Sequence, residues 1–248
     1  MYKKKVNEKI GIVIPAANES KTIESLCNDL FKHINSLKIK SEVFIVLDRA
    51  SRDNTLEILQ KMASKYKSLH IIYEPKNRHL ADARIKGFLE AIKQNCDFII
   101  EMDCGFSHLP EELYKFIHGF REGYDCVFGI RPLWSLRYHV PLYRRIYSLG
   151  GTILSNLLLG THFVDMTSGY EGFRKEVLEQ ILKDPILSTD HFFQTEVRFK
   201  ARNFRYKEVY ITYSSPTPRV KWSSVYNSFE TLFFLALDNW ARKIKLKK

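Results

Sequence analysis

Apolar positions along the first 130 residues alternate between two periods. Ile10 to Pro15 is a short apolar, β-branched run, and from Asn18 to Ser36 the positions Ile23, Leu26, Leu30, Phe31 and Ile34 recur at helical spacing. This predicts a strand and then a helix. The alternation repeats: a strand over Glu42 to Leu47 and a helix over Arg52 to Tyr66, then a strand over Leu69 to Tyr73 and a helix over Leu80 to Lys93. A fourth strand over Asp97 to Met102, a helix near Pro110 to Phe120 and a fifth strand over Asp125 to Gly129 follow. Nearly continuous apolar strands, each followed by a helix, imply an α/β fold: a mostly parallel sheet with helices on both faces. From Val225 the residues Phe229, Leu232, Phe233, Ala236, Leu237 and Trp240 return to helical spacing, and Arg242, Lys243, Lys245, Lys247 and Lys248 follow. The chain thus divides into a main domain, residues 1–222, and an amphipathic helix with a basic tail, residues 223–248.

Composition narrows the class. The chain has 248 residues, 45% of them hydrophobic, enough to bury an enzyme-sized core. Its formal charge of +11 favours polyanionic partners such as nucleotides, nucleic acid or an anionic membrane surface. No recognised nucleic-acid-binding module accompanies the charge, so nucleic acid is disfavoured. Cys27, Cys96, Cys104 and Cys126 show neither metal-ligand spacing nor a disulfide framework, which points to a reducing compartment. The basic start, Met1 to Val6, runs into Asn7, Glu8 and Lys9 rather than an apolar signal core, and no run of ~18 apolar residues occurs. A cytoplasmic protein without a membrane-spanning helix is expected.

In parallel α/β sheets ligands bind beyond the carboxyl ends of the strands. There the first strand leads into Pro15-Ala16-Ala17-Asn18-Glu19, the second into Asp48-Arg49-Ala50-Ser51-Arg52-Asp53-Asn54-Thr55 and the fourth into Asp103-Cys104-Gly105-Phe106-Ser107-His108. Each polar residue singly fits a helix cap. Carboxylates repeated at matching strand ends instead favour one ligand crevice. No Gly-x-Gly-x-x-Gly follows the first strand, which disfavours a dinucleotide-binding domain.

These stretches, with Asn77, Ala81, Ala83 and Gly87 and then Pro110-Glu111, occur in the order and spacing of one family. The chain resembles the GT2 glycosyltransferases and, within them, the dolichyl- or polyprenyl-phosphate sugar synthases. Gly129-Ile130-Arg131, Arg144 with Ser148, Asp165 to Tyr170, Phe173-Arg174, Gln194-Thr195-Glu196 and Glu208-Val209 extend the likeness to about residue 213. The resemblance implies a GT-A (Rossmann-like) fold and transfer of a sugar from a GDP- or UDP-linked donor to a membrane-associated acceptor, most simply a polyprenyl phosphate. It implies donor binding by Pro15, Ala16, Asn18, Glu19, Asp48, Ser51, Asn77, Ala81, Arg84, Gly105 and Ser148. Catalytic roles fall to Asp103, Arg131, Arg144, Asp190 and Glu196, with Asp103 also the metal ligand for Mg²⁺ or Mn²⁺. Asp48 and Asp103 are expected at the ends of adjacent strands.

The chain departs from the family pattern in three places. Leu47 replaces the first Asp of an Asp-Asp pair, Ala17 replaces a common aromatic, and Gly105 stands where the second Asp of Asp-x-Asp belongs. Weak cation binding, chiefly through the donor's diphosphate, is therefore expected, and a non-catalytic nucleotide-sugar-binding homologue stands as an alternative to the enzyme. Arg131 and Arg144 suit the charge that builds on a leaving diphosphate, since an Arg fork grips phosphate oxygens. A phosphate acceptor needs no general base, whereas a hydroxyl acceptor would need Asp190 or Glu196. The C-terminal helix either packs on the domain or lies at a membrane interface, where anionic headgroups would bind its tail. The likeness to lipid-phosphate synthases favours the interface on the cytoplasmic face.

Overall fold

The computed structural model describes residues 8–48, 51–74, 79–133, 140–213 and 222–245. Strand β1 (Lys9–Ala16) lies inside the sheet, with Ile10 to Ala16 all buried. It pairs in parallel with β2 (Lys40–Asp48) on one side and β4 (Phe98–Glu101) on the other. β3 (Leu69–Glu74) extends the sheet beyond β2, and β6 (Glu171–Arg174), β5 (Cys126–Ile130) and β7 (Tyr206–Tyr210) extend it beyond β4. Among these seven strands only β6 runs against its neighbours. Asp48 and Asp103 therefore follow strands separated by β1, not adjacent ones.

Alternation along β1 sends its residues into two cores. Ile10, Ile12 and Ile14 join α1 (Ile23–Leu37), α2 (Thr55–Lys65) and α4 (Leu113–Arg121) on one face. Val13 joins α3 (Leu80–Lys93), α6 (Lys175–Ile181), α7 (Phe193–Ala201) and part of α8 (Trp222–Lys245) on the other. At Gly87 a Cβ would overlap Val13, so the missing side chain is what lets α3 lie close against β1. The remaining helix, α5 (Leu142–Leu159), packs against α8.

Two helices start later than their apolar spacing predicts, because polar residues there bind the neighbouring loop instead. α1 begins at Ile23 rather than Asn18, which has a left-handed φ of 58°. α2 begins at Thr55, whose backbone N–H donates to Asp53 Oδ1 at 3.2 Å. The helix expected from Pro110 opens with a 3₁₀ turn, Pro110–Glu112.

Candidate functional site

The loops after β1 and β2 are joined to one another. The Asn18 backbone N–H donates to Ser51 Oγ (3.2 Å), and Asn18 Oδ1 accepts from the Arg52 N–H (2.8 Å). The Glu19 N–H donates to Thr55 Oγ1 (2.8 Å) and the Ser20 N–H to Asp53 Oδ2 (3.0 Å). Burial pushes the Asp53 carboxyl upward, but hydrogen bonds from Ser20 and Thr55 outweigh it and hold the group below the usual carboxylate range. Asn18, Ser51 and Asp53 thus act as loop cross-links, while Asp48 stands at the end of β2 beside this brace.

Asp103 is the half-buried acid of the crevice, its side chain 32% exposed. Its backbone N–H donates to His108 Nδ1 at 2.9 Å, which places the ring proton on Nε2. His108 is wholly buried and stacks on Tyr170 at 4.8 Å, and burial lowers its pKa to about 4. Partial burial opposes ionisation of Asp103, yet His108, Arg84, His191 and Arg131 prevail and keep its carboxyl below the ordinary value. Gly105 has φ +75°, and a Cβ there would stand 3.3 Å from Glu19 Oε2. A carboxylate at position 105 would therefore meet both backbone strain and Glu19. Among the described residues no three His, Cys, Asp or Glu side chains converge as metal ligands.

The segment from Asp165 to Gly169 faces this acid. A Cβ on Gly169 would lie 3.5 Å from Asp103 Oδ1. Arg131 follows β5 and grips Asp165 with both arms, Nε to Oδ2 at 2.8 Å and Nη2 to Oδ1 at 3.0 Å, and also donates to Thr167 Oγ1. Burial alone would raise the Asp165 pKa, but Arg131 brings it down to about 2. Arg84, predicted as a donor contact, is only 2% exposed and lies behind the acid: its Nε is 2.5 Å from Glu101 Oε1 and its Nη2 3.7 Å from Asp103 Oδ1. With the Gln194 amide oriented so that its nitrogen donates to the His191 carbonyl, its oxygen accepts from Arg84 Nη2 at 2.7 Å.

The other predicted residues separate. Pro15, Ala16 and Ala81 are buried at the rim, where the Ala81 N–H donates to the Thr189 carbonyl at 3.4 Å. His191, next to Asp190, lies within reach of the charges of Arg84, Asp103 and Arg144, so the 189–191 segment belongs to the same crevice. Asp190 Oδ2 accepts from Ser224 Oγ of α8. Glu196 is placed differently. It is wholly buried and accepts from the Leu187 and Ser188 N–H groups, the latter at 2.7 Å, so its carboxylate braces the loop before Asp190. Arg144 and Ser148 occupy one face of α5, four residues apart. Asn77 lies outside the described residues.

Glu101, Glu171 and Arg198 are buried ionisable side chains beneath the site and were not singled out in the sequence. The one signal was Glu101, a charge closing the apolar run Phe98-Ile99-Ile100. Burial pushes the Glu101 carboxyl up to about 7 against the pull of Arg84, and pushes Glu171 well above its ordinary value against Arg198.

The chain is similar to several known proteins. The sequence model described as Glycosyl transferase family 2 matches residues 11–182. The chain is 31% identical over 204 residues to an undecaprenyl-phosphate mannosyltransferase of Micrococcus luteus, covering 81% of this chain and 82% of that one. It is 28% identical over 230 residues to a polyprenol monophosphomannose synthase of Mycolicibacterium smegmatis, covering 91% and 84%. Its fold matches a glucosyl-3-phosphoglycerate synthase of Mycobacterium tuberculosis, solved with Mn²⁺, uridine diphosphate and phosphoglyceric acid, with a TM-score of 0.67. That match covers 92% of this chain and 78% of the other at 14% identity, a likeness of fold.

Proposed function

Because the chain belongs to glycosyl transferase family 2, and is therefore a glycosyltransferase, we propose that it moves a sugar from a GDP- or UDP-linked donor to a polyprenyl phosphate at a membrane surface. The observation that carries this reading is Asp103, a half-exposed acid ringed by Arg84, Arg131 and His191, in a chain whose relatives are named as polyprenyl-phosphate mannosyltransferases. An acceptor phosphate oxygen bonds to the anomeric carbon as the bond to the nucleoside diphosphate breaks. Positive charge grows on the sugar and negative charge on the leaving phosphates. Asp103 faces the first. Arg144 on α5 faces the second, and Arg131, held by Asp165, adds fixed positive charge behind the 165–169 segment. A divalent cation on the diphosphate would supply further positive charge there, with Asp103 as its protein ligand.

The test is turnover of UDP- and GDP-sugars with polyprenyl phosphate, with and without Mg²⁺ or Mn²⁺. Asp103→Ala should remove turnover while the melting temperature holds; full activity in that variant would refute the site. Arg144→Ala should lose about 1.5–3 kcal/mol of transition-state stabilisation. A hydroxyl acceptor would instead make Asp190 indispensable, so an active Asp190→Asn variant supports the phosphate acceptor.

Contact with a membrane is supported by an apolar face on α5 and α8. Leu157 is 76% exposed and Trp240 65%, and a groove of about 560 Å³ runs past Leu158, Phe229, Phe233 and Trp240. Such a surface is unusual for water contact alone. Among the described residues no helix is long and apolar enough to cross a membrane. Peripheral attachment at the cytoplasmic face is the arrangement we propose; the side chains of the basic tail expected to bind anionic headgroups, Arg242, Lys243, Lys245, Lys247 and Lys248, lie outside the described ones. Leu232 and Leu235 are buried against the domain, so truncating α8 would uncover core. Phe233→Ser with Trp240→Ser is the cleaner test: it should release the protein from anionic vesicles, and unchanged co-sedimentation would count against the face.

A further inference from the structure

Four ionisable side chains lie in the apolar layer directly beneath the crevice. Glu101 ends β4 and Glu171 opens β6, and the antiparallel register sets them opposite one another. Both are wholly buried. Like charges opposed across strands repel, and burial makes each ion costly to hold. Each is met by an arginine from a helix on that face: Arg84 of α3 at 2.5 Å from Glu101, and Arg198 of α7 at 3.4 Å from Glu171. Among the described residues these contacts are ion pairs in which the arginine Nε–H groups are not well aligned on the carboxylate oxygens. Replacing a buried ion pair by packed hydrocarbon is often neutral or stabilising. Stability alone therefore does not account for the arrangement.

What the cluster does is visible in the free ends of its arginines. Arg84, held at Nε by Glu101, brings Nη2 to 3.7 Å from Asp103. Arg198, held at Nε by Glu171, donates from Nη2 to the carbonyls of Gly129 (3.2 Å) and Ser168 (2.9 Å) and from Nη1 to that of Asp165. These carbonyls belong to the end of β5, just before Arg131, and to the segment that binds it. The Arg84 ring neighbour is Phe193 and the Arg198 neighbour Phe128, so neither guanidinium has open water around it.

We propose that Glu101 and Glu171 are positioning residues of the transfer site: Glu101 fixes Arg84 against Asp103, and Glu171 fixes Arg198 against the backbone that carries Asp165 and Arg131. The antiparallel pairing of β4 and β6 carries both carboxylates, so Arg84 and Arg198 are anchored on adjoining strands. This rests on the transferase reading given above for how it affects turnover, but not for the geometry itself.

The two residues act on different steps. Glu101→Gln loosens the surroundings of Asp103 and should weaken GDP or UDP binding in calorimetry roughly tenfold, with a smaller change in kcat. Glu171→Gln should lower kcat roughly tenfold, with nucleotide affinity close to wild type. The neutral pair Arg84→Met with Glu101→Met guards against misfolding, since it removes both charges: it should fold as stably as wild type and still bind nucleotide poorly. Nitrogen-15 NMR of the arginine Nε–H groups gives a readout independent of donor. Arg84 should lose exchange protection in Glu101→Gln, and the Arg131 resonance should shift in Glu171→Gln. Those NMR changes in a protein that turned over no nucleotide-sugar would uphold the positioning role while defeating the transferase reading. Unmoved Arg84 and Arg131 resonances, or variants that lose only melting temperature while nucleotide affinity and kcat stay at wild type, would overturn the proposal.

Discussion

The loops after β1 and β2 are held by hydrogen bonds between short side chains and exposed or half-buried amides, whereas the floor under β4 and β6 is held by buried charges. In the first region water can replace a lost partner. In the second it cannot, so removing one charge strands its partner in a low-dielectric interior. The same crevice therefore has a tolerant rim and an intolerant floor.

Asp165→Ala should break the floor most severely. It leaves Arg131, only 8% exposed, without its carboxylate, and about 3–5 kcal/mol of stability should go with it. Urea unfolding measures this, and a loss under 1 kcal/mol would erase the contrast between the regions.

A pH effect comes next. The folded pKa of His108 is lowered from about 6.5 to about 4, so between these values the unfolded chain binds more protons than the native one. Its contribution is fully present above pH 6.5 and is lost as pH falls towards 4, amounting to about 3 kcal/mol at about 1.4 kcal/mol per pKa unit. His108→Gln should flatten the stability profile over that window; an unchanged slope would place the proton uptake elsewhere.

At the rim, Asp53→Ala should cost about 1–2 kcal/mol, the range of a lost cap, and leave the floor's NMR signals in place. Smallest is Gly105→Asp, where a left-handed φ costs about 1 kcal/mol and the new side chain meets Glu19. Titration of Mn²⁺ with and without nucleoside diphosphate should show weak binding to the free wild type, strengthened by nucleotide. Tight Mn²⁺ binding by the nucleotide-free wild type would mean that the site is completed by other residues.

Legibility divides along the same line. The strands and helices up to Ile130 were readable because each buries one face, and burial writes its period into the sequence. The α3 boundaries, Leu80 to Lys93, agree with the spacing outright. β6 offered no such signal: Glu171-Gly172-Phe173-Arg174 has one large apolar residue among four. α7 was hidden for a related reason, since Gln194, Thr195, Glu196 and Arg198 are all buried in it and read as a polar surface. Asp103 was found through its place after a strand. Glu196 was also singled out, but only the folded chain shows its carboxylate turned onto the Leu187 and Ser188 amides.

The sequence by itself determined the local geometry up to Ile130: where that part of the backbone runs as strand or helix, which ends of its strands carry carboxylates, and that position 105 has no side chain to offer a cation. Only the tertiary structure decided which charge answers which. Arg131 and Asp165 are 34 residues apart in the chain, and Glu101 meets Glu171 through a reversed strand. Periodicity records which way a residue faces because facing is local. Coulomb pairing acts through space, so its partners exist only once the sheet has brought distant segments together.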